Sequence, residues 1–251
     1  MFKHAIVRQI ADSYTSCISS HPLHKKLNLE KAREQHSLYV KTLQELGLDL
    51  IILSALNKFP DSCFVEDTAI IHDSKAVITR MGVSSREGES ATIADVLKDY
   101  FDLSYIKQPG TIEGGDVVHL SNKLLSGISQ RTNREGVSQT SSFLNVQIET
   151  IIDPSIIHLK SHISYLTNNT VLVTSKYASD GTIKKYNKIV VPQSEEYATN
   201  VLSINGTILM AKGFQKTQKM LEENGFDIIL VETSEIEKCQ GALTCLSILF
   251  M

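Results

Sequence analysis

The sequence predicts an α/β fold built from five repeats of strand, strand, helix and strand, arranged as a propeller-like ring. Three observations lead to this prediction. Hydrophobic periods of two and of 3.6 residues alternate in the same order along the chain. A reactive side chain stands just before, or at the start of, the first strand in several repeats, and the last apolar segment supplies a strand that the N-terminal repeat lacks. An open α/β sheet remains the alternative on periodicity alone.

The N-terminal repeat is incomplete when it is followed in chain order. A strand at residues 4–8 precedes a helix at 29–46, which Gly47 ends, and a strand at 48–53. The missing strand is LSILF at residues 246–250, so pairing of the two termini would complete the repeat. The apolar residues of the helix fall three or four apart, which predicts one buried face: Leu29, Ala32, His36, Tyr39, Leu43 and Leu46.

The other four repeats follow in order, each with a turn between its first two strands. Helices are predicted at residues 89–101, 133–144 and 216–223, whereas the third of these four repeats has less regular sequence in place of a helix. The turns are predicted at His72-Asp73-Ser74, Ser121-Asn122, Asn168-Asn169 and Asn205-Gly206. The strands are predicted at 68–71, 76–79, 104–106, 117–120, 123–128, 146–152, 164–166, 170–175, 188–191, 201–204, 207–211 and 227–231.

Length and charge limit the classes of protein to which the chain can belong. Its 251 residues contain no stretch typical of a linker, so we expect a single domain over residues 1–251. The formal net charge of -3, without a concentrated basic face, argues against nucleic-acid binding. No apolar run approaches the ~20 residues that span a bilayer, and residues 1–10 lack the pattern of a signal peptide. We therefore expect a cytoplasmic protein without membrane or nucleic-acid partners.

The cysteines and histidines do not have the spacing of a structural metal site. Cys17, Cys63, Cys239 and Cys245 are dispersed without CxxC spacing, which predicts neither a zinc ribbon nor a disulfide scaffold. The HxxxH at residues 158–162 lacks the glutamate of a hydrolytic zinc site. We expect no metal and no cofactor.

Cys245 and His158 together can perform nucleophilic catalysis. A cysteine nucleophile needs a base or a cation that favours its thiolate, and a histidine can act in turn as acid and base. Taken alone, Cys245 would be interpreted as a small buried hydrophobe and His158 as a core histidine. Acidic residues stand at the equivalent positions, just before the first strand of other repeats, and they favour the catalytic interpretation.

These acids are Asp61, Glu66 and Asp67 in one segment, and Glu113 and Asp116 in another. Converging carboxylates repel one another unless a cation neutralises them, so a cationic ligand is expected. A planar guanidinium, which carboxylates bind through two hydrogen bonds, fits this set better than a metal ion does.

Six motifs carry a resemblance to a known family: PDSCFVEDTAIIHD, ITRMGVSSR, TIEGGDVV, SQRTNREG, IIHLKS and GALTCLSILF. Together they resemble the dimethylarginine dimethylaminohydrolases, guanidine-modifying enzymes of the pentein group that are related to arginine deiminases. The likeness extends from residue 4 to the C-terminus. It implies the five-bladed α/β propeller, hydrolysis of methylated arginine to citrulline and a methylamine through a covalent thiouronium intermediate, and no metal or organic cofactor.

The resemblance also implies roles for individual residues. Cys245 resembles the family's nucleophile, His158 its acid and base, and Glu113 the carboxylate that supports the guanidinium and the histidine. Asp67, with Glu66, resembles the acids that hold the guanidinium nitrogens. On this basis Asp116 is expected to be structural.

Further residues match positions that bind the rest of the substrate. Asp61, Arg86 and Arg131 match those that hold its amino and carboxylate ends, and Ser161 of the HLKS segment is a further candidate for substrate binding. Without the motif match, both arginines would be interpreted as solvated surface charges.

Two departures from the family's pattern leave the substrate specificity open. Gln240 stands where relatives usually carry an acidic residue, and the segment within residues 17–28 that takes the place of the family's flexible lid has no residue-by-residue match. Neither the alkylation of the substrate nor the oligomeric state follows from the sequence, and a homodimer stays open.

Two rival interpretations remain. Arginine deiminases, the nearest enzyme alternative, are longer and place an aspartate where this chain has Lys160. A pentein-fold binding protein, such as the ribosome anti-association factor, would have no reason to bring cysteine, histidine and acids together.

Overall fold

The computed structural model describes residues 1–121 and 123–251, which form two compact units. Unit 1 contains residues 1–65 and 200–251, and unit 2 contains residues 66–199. The sheets described in both units are three-stranded and share one topology, in which the first strand is antiparallel to the second and the second is parallel to the third. The single domain over residues 1–251 stays a prediction.

The strands are β1 (His4–Arg8), β2 (Asp49–Leu53), β3 (Ala69–His72), β4 (Lys75–Ile78), β5 (Asp102–Tyr105), β6 (Val117–His119), β7 (Leu124–Ile128), β8 (Ile148–Ile152), β9 (Ile163–Tyr165), β10 (Thr170–Thr174), β11 (Asn187–Val191), β12 (Leu202–Ile204), β13 (Thr207–Ala211), β14 (Asp227–Val231) and β15 (Ser247–Phe250). The α-helices are α1 (Leu29–Glu45), α2 (Ala91–Leu97), α3 (Arg134–Leu144), α4 (Gln215–Glu223) and α5 (Ser234–Glu237).

Unit 1 contains the sheet that joins the two ends of the chain. Strand β1 lies between β15 and β2, so that Ala5 is paired with Leu249 on one side and with Leu50 on the other. The predicted pairing of the termini is therefore confirmed. The second sheet of unit 1 has the order β12, β13 and β14. Helix α4 connects the parallel strands β13 and β14 along the chain.

Helix α1 begins and ends where its sequence predicts, to within one residue. The Asn28 side chain accepts a hydrogen bond from Lys31 N at 3.0 Å, which caps the first turn. Gly47, at φ 83°, takes the left-handed conformation that follows the helix. Four predicted face residues, Ala32, His36, Tyr39 and Leu43, are buried. The Tyr39 hydroxyl also lies 2.7 Å from Ser247 Oγ, which ties α1 to β15.

Unit 2 contains three sheets, formed by β3 to β5, β6 to β8 and β9 to β11. Helices α2 and α3 connect the parallel strands of the first two, whereas the third has a 3₁₀ turn at Gly181–Ile183. This turn agrees with the irregular sequence noted there. Helix α2 is shorter than the predicted 89–101. It ends at Leu97, and Lys98 begins the turn that leads into β5. The predicted turn at Ser121-Asn122 includes Asn122, which lies outside the described residues.

Each unit has its own apolar core. In unit 1, Tyr14, Tyr39 and Leu43 pack with side chains of β1, β12 and β13. In unit 2, Leu159 and Ile163 lie in one cluster and Ile112 in another. A fully buried side chain of this size contributes about 1.5–3 kcal/mol to stability. The turns before β6 and β9 are therefore held by residues of the core itself.

A disulfide bond joins Cys17 and Cys239 in unit 1. The expectation that no disulfide is present is wrong at this pair. The two cysteines are 222 residues apart in sequence, yet their Cα atoms lie 5.8 Å apart. Spacing along the chain cannot reveal a pair that tertiary structure brings together.

Among the described residues, no helix is long and apolar enough to cross a membrane.

Candidate active site

The predicted reactive residues lie in or beside short 3₁₀ turns that lead directly into strands. Asp67 lies in the turn Val65–Thr68 before β3, and Asp116 ends the turn Gly114–Asp116 before β6. His158 precedes the turn Leu159–Ser161 before β9, and Cys245 lies within the turn Thr244–Leu246 before β15. The predicted placement of these residues before their strands is confirmed.

His158 is held against two carboxylates in unit 2. Its Nε2 lies 2.7 Å from Glu113 Oε2 and 3.6 Å from Asp67 Oδ1. The side chain of Glu113 is fully buried, and those of Asp67 and His158 are 2% and 12% exposed. Glu113 Oε1 accepts a further hydrogen bond from Gly82 N at 2.8 Å. The carboxylate is therefore fixed from both oxygens.

Gly115 of the EGGD motif permits this close packing. A Cβ atom at position 115 would lie 2.6 Å from His158 Nδ1 and 2.8 Å from Asp67 Oδ1. The Gly115 N–H donates to the same Asp67 oxygen at 3.0 Å. A residue without a side chain is thus required for His158 and Asp67 to approach the turn.

The surroundings of His158 stabilise its protonated form. Burial alone would lower the pKa of His158, but the charge of Asp67 and the hydrogen bond and charge of Glu113 raise it to about 9. At neutral pH His158 is therefore an imidazolium whose Nε2–H donates to Glu113. It can give a proton to a leaving group and accept one afterwards.

Arg86 is the centre of a buried ion-pair network in unit 2. Its Nη1 lies 2.7 Å from Asp67 Oδ2, and its Nη2 and Nε lie 2.8 and 3.1 Å from carboxylate oxygens of Glu89. Burial disfavours the charge, yet Asp67 and Glu89 raise the pKa of Arg86 well above its ordinary value. Burial would likewise raise the pKa of Asp67, but the charges of His158 and Arg86 hold it below its usual range.

Arg131 is also buried, so a solvated surface charge is the wrong interpretation for both arginines. Arg131 and Arg86 are 9% and 4% exposed. Arg131 Nη1 lies 3.7 Å from Glu113 Oε1, and in the described part of the chain this nitrogen has no hydrogen-bond partner. Arg131 therefore has a donor available beside the carboxylate that holds His158.

Lys160 and Glu66 form a further ion pair in unit 2. Lys160 Nζ lies 2.6 Å from Glu66 Oε1, and both side chains are more than four-fifths buried. Ser161, next in the chain, is exposed, and its N–H lies 3.4 Å from the His158 carbonyl oxygen. Glu66, one of the acids predicted to hold the substrate, is therefore paired with Lys160 in this structure.

Asp116 fixes the loop that carries His158. It is fully buried, and its carboxylate accepts hydrogen bonds from Leu159 N at 3.0 Å and from Ser129 Oγ at 2.6 Å. Burial is the main cause that raises the pKa of Asp116. These contacts agree with the structural role expected for it.

In unit 1, the turn that carries Cys245 is anchored by Asn200. Thr244 N donates to Asn200 Oδ1 at 3.0 Å, and Asn200 Nδ2 donates to Thr244 Oγ1 at the same distance. Asn200 and Thr244 are buried, and Cys245 is half-buried. The amide side chain therefore fixes the backbone immediately before the thiol.

Asp61, also in unit 1, is covered by the chain segment after Cys17. Both of its carboxylate oxygens lie 3.2 Å from Ile18 N, and its exposed fraction is 6%. Asp61 and Cys245 thus belong to unit 1, whereas Glu66, Asp67, Arg86, Glu113, Arg131, His158 and Ser161 belong to unit 2.

A family model described as N,N dimethylarginine dimethylhydrolase, eukaryotic, matches residues 9–249. The chain is 34% identical over 260 residues to the N(G),N(G)-dimethylarginine dimethylaminohydrolase of Pseudomonas aeruginosa, with 100% of both chains covered. The chain belongs to the dimethylarginine dimethylaminohydrolase family. The resemblance deduced from the six motifs is confirmed.

Two solved structures of the family share the fold over the whole chain. One is a histidine-to-glycine variant of dimethylarginine dimethylaminohydrolase as an adduct with S-methyl-L-thiocitrulline. The other is a cysteine-to-serine variant of the Pseudomonas aeruginosa enzyme complexed with citrulline. Each has a TM-score of 0.96, 33% identity and 100% coverage of both chains. The predicted fold class, an α/β pentein fold with repeated strand-strand-helix-strand units, is confirmed.

The acids of unit 2 are compensated by the chain's own cations. Glu66 pairs with Lys160, Asp67 and Glu89 pair with Arg86, and Glu113 pairs with His158. The sequence argument from converging acids did not count these intramolecular partners, which neutralise part of the acidic charge. For this chain, the expectation of a guanidine substrate therefore rests on its membership of the dimethylarginine dimethylaminohydrolase family.

Two clusters have the donor types of a metal site. Asp67, Glu113 and His158 each offer an atom within 4.8 Å of the others, as do Cys17, His24 and Cys239. Metal binding requires a neutral imidazole, whereas His158 is protonated at neutral pH. The first cluster therefore fits a proton better than a metal ion, and the sulfurs of the second are joined in a disulfide.

The sequence interpretation missed three residues that hold site residues in place: Asn200, Glu89 and Lys160. Asn200 had a usable signal, since it stands just before β12 as the other reactive residues stand before their strands. Glu89, three residues after Arg86, could have been paired with it only if the turn between them were known.

Proposed function

We propose that the protein is a cysteine hydrolase that converts Nω-methylated L-arginine, dimethylated or monomethylated, to L-citrulline plus dimethylamine or methylamine. The reaction passes through a covalent thiouronium intermediate on Cys245. Membership of the dimethylarginine dimethylaminohydrolase family supports the substrate class. The family's solved variants with citrulline and with an S-methyl-L-thiocitrulline adduct support the product and the covalent step.

The observation that carries the proposal is the position of the His158 ring between the carboxylates of Glu113 and Asp67. An amine leaves a carbon centre only when it is protonated, and a buried imidazolium can supply that proton at neutral pH. A pKa of about 9 keeps His158 protonated before substrate binds. It is therefore an acid first, and the Cys245 proton goes to solvent.

In the first step the Cys245 thiolate attacks the central guanidinium carbon, and a C–S bond forms. The bond from that carbon to the dimethylamino nitrogen then breaks as His158 transfers its proton to this nitrogen. Dimethylamine leaves, the S-linked thiouronium remains, and His158 is neutral.

In the second step neutral His158 takes a proton from water, which adds to the same carbon. The C–S bond breaks, the remaining proton of the added hydroxyl group passes to solvent, citrulline is released and the Cys245 thiolate returns. His158 is again an imidazolium, so Glu113 stabilises its charge at the beginning and end of each cycle. Glu113 also holds the ring orientation through Nε2.

The remaining site residues bind the substrate. Asp67 and Glu66 accept hydrogen bonds from the guanidinium nitrogens, and Asp61 accepts from the amino end. Arg131 has an unused Nη1 donor for the carboxylate end.

Arg86 and Ser161 contribute to the same subsite. Arg86 acts mainly by fixing Asp67, because its guanidinium is already paired with two carboxylates. Ser161, three residues after His158 in the same loop, is exposed and offers a hydroxyl.

The proposal extends to the setting of the protein. The balanced charge and the absence of a basic cluster support a cytoplasmic enzyme of small molecules without nucleic-acid or membrane partners, which needs no metal or organic cofactor. Sedimentation velocity tests whether the protein forms a homodimer.

The test is a substrate panel with product analysis. The protein is incubated separately with arginine, monomethylarginine, dimethylarginine and agmatine, and citrulline, ammonia and amines are measured. We expect citrulline and a methylamine from the methylated arginines, none from Cys245→Ala, and retained turnover in Cys63→Ala, the matched control. Lack of turnover of every compound would remove the proposal, and preference for arginine would make the protein a deiminase.

A further inference from the structure

The disulfide between Cys17 and Cys239 lies at the beginning of a segment that covers Asp61, which is predicted to bind the substrate. We call residues 17–28 the strap. The bond joins the first residue of the strap to the second residue after α5. Both cysteines are buried, at 4% and 3% exposure. All the contacts of the strap described below lie within unit 1.

Polar contacts hold the strap along the same stretch of chain. Ser19 Oγ donates to the Lys238 carbonyl oxygen at 2.7 Å, and Ser20 N donates to Gln240 Oε1 at 2.7 Å. Hydrogen bonds between uncharged groups such as these are far weaker than a covalent bond. At residue 17 the strap is held to the same stretch of chain by the disulfide bond to Cys239.

The far end of the strap is held by Glu235, a residue of α5. Asn28 N donates to Glu235 Oε2 at 2.8 Å, and Lys238 Nζ donates to the Lys26 carbonyl oxygen at 3.1 Å. The strap is thus fixed at both ends to residues 235–240, and Cys245 follows five residues later.

The bond also determines what lies on Asp61. Ile18, the next residue after Cys17, places its N–H 3.2 Å from both carboxylate oxygens. Because Cys17 is bonded to Cys239, the backbone that carries the Ile18 amide is tethered beside Asp61. An oxidised pair therefore keeps Asp61 covered.

His24 is placed to assist opening and closing of the bond. Its Nε2 lies 3.4 Å from Cys17 Sγ, and the imidazole is half-buried. When the bond is reduced, this nitrogen can accept the proton of the Cys17 thiol and so favour the thiolate, which is the species that attacks a disulfide.

We propose that Cys17 and Cys239 form a reversible thiol–disulfide site, separate from the Cys245 nucleophile, which fixes the strap on Asp61 when oxidised and releases it when reduced. The reductant is a small dithiol or a protein dithiol. Its two thiols give two electrons and two protons, the S–S bond becomes two thiols, and the dithiol becomes a disulfide. In a reducing compartment a disulfide is usually of this reversible kind.

The consequence for turnover rests on the proposed function, in which Asp61 binds the amino end of the substrate. With the strap fixed, Ile18 N–H competes with that amino group for the carboxylate. Reduction removes the tether, so kcat/KM for dimethylarginine rises by about fivefold. The bond and the motion of the strap can be measured without any substrate.

The first measurement locates the bond in Cys245→Ala protein purified without reductant. In this variant the tryptic fragment that begins at Cys239 contains one cysteine. We expect iodoacetamide to label Cys63 in the denatured protein before reduction, and Cys17 and Cys239 only after reduction. Labelling of all three before reduction, even after exposure to oxidised glutathione, would overturn the proposal.

The second measurement follows amide hydrogen exchange of the strap in oxidised protein and in protein reduced with dithiothreitol. We expect exchange of amides 18–28 to become about tenfold faster on reduction. Cys239→Ser should exchange at the fast rate with or without dithiothreitol, and Cys63→Ser should respond as the wild type does. Equal exchange rates in oxidised and reduced wild type would contradict the proposal.

The third measurement separates the site from zinc binding and from the proposed function. One equivalent of zinc held by reduced protein, and lost in both Cys17→Ser and His24→Ala, would overturn the disulfide site in favour of a metal site. For turnover, dithiothreitol should raise kcat/KM in the wild type and leave it unchanged in Cys239→Ser, which retains Cys245. An inactive protein whose strap still responds to dithiothreitol would count against the proposed function alone.

Discussion

His158 has its chemical properties because of the two carboxylates that contact it. An exposed histidine loses its proton near pH 6.5. Burial would lower that value further, but Asp67 and Glu113 raise the pKa of His158 to about 9. The electrostatic effect of the carboxylates therefore outweighs desolvation. Arg86 limits this effect, because it neutralises part of the Asp67 charge.

The pH dependence of turnover follows from this balance. The wild-type kcat/KM should fall as pH rises through about 9, because the His158 imidazolium, the proposed acid for the leaving amine, is lost. Replacement of Glu113 by Gln removes a negative charge and should move this limb to lower pH by about one unit or more.

The control is Glu149→Gln, which removes a half-buried carboxylate of unit 2 that pairs with Lys123 instead. Its alkaline limb should match that of the wild type. An NMR titration of the His158 ring gives the same comparison without substrate. An unchanged limb and an unchanged ring titration in Glu113→Gln would contradict the assignment.

At the scale of elements, the short turns before the strands place the chemistry. Each turn puts one side chain at the strand entrance, and buried hydrogen bonds from neighbouring segments fix it. Asp116 holds Leu159 N in the turn after His158, and Asn200 holds Thr244 next to Cys245. The reactive residues thus depend on neighbours that do no chemistry themselves.

The turn Gly114–Asp116 should tolerate no side chain at residue 115. In Gly115→Ala the new Cβ would meet His158 Nδ1 and Asp67 Oδ1 at less than 3 Å, so the imidazole must move. We expect kcat to fall about 100-fold, the effect expected of a misplaced acid.

Gly181→Ala is the matched control, because a Cβ at that position meets nothing within 4 Å. Steady-state kinetics and the melting temperature of both variants decide the matter. Wild-type kcat in a folded Gly115→Ala protein would show that His158 need not lie where the structure places it.

The Asn200 side chain should matter for Cys245 because it anchors Thr244, the residue immediately before it. Asn200→Ala removes both hydrogen bonds to Thr244 and leaves the buried Thr244 N–H unsatisfied. We expect kcat to fall about tenfold or more, and alkylation of Cys245 by iodoacetamide to change in rate.

Asn187→Ala, at an exposed position of β11, controls for loss of an asparagine side chain. If Asn200→Ala and Asn187→Ala had the same kinetics and the same alkylation rate, Asn200 would have no positioning role.

On the scale of the whole molecule, the sequence predicted what short segments determine. Strand alternation, the α1 face and turns such as Asn205-Gly206 are local, so each repeat could be placed in order. The pairing of β1 with β15 also followed, since one repeat lacked a strand and one strand lacked a repeat.

Contacts between distant residues could not be predicted in this way. Glu66 and Lys160 are 94 residues apart, and Cys17 and Cys239 are 222 apart. Their meeting depends on tertiary structure, and no periodicity records it. For that reason the sequence indicated the acids, Arg86 and His158, but neither their pairing nor the role of Lys160 as the partner of Glu66.

The central claim is that Cys245 is the nucleophile and His158 the acid and base, and one adduct measurement tests it most directly. His158→Gly is incubated with S-methyl-L-thiocitrulline, whose methanethiol leaves without a strong acid, and the protein is analysed by intact-mass and peptide mass spectrometry. Without His158, water is not activated and the intermediate should persist. The account predicts an adduct of the substrate less methanethiol on Cys245, and none in His158→Gly/Cys245→Ala. An adduct on Cys17, Cys63 or Cys239, or one that persists without Cys245, would contradict it.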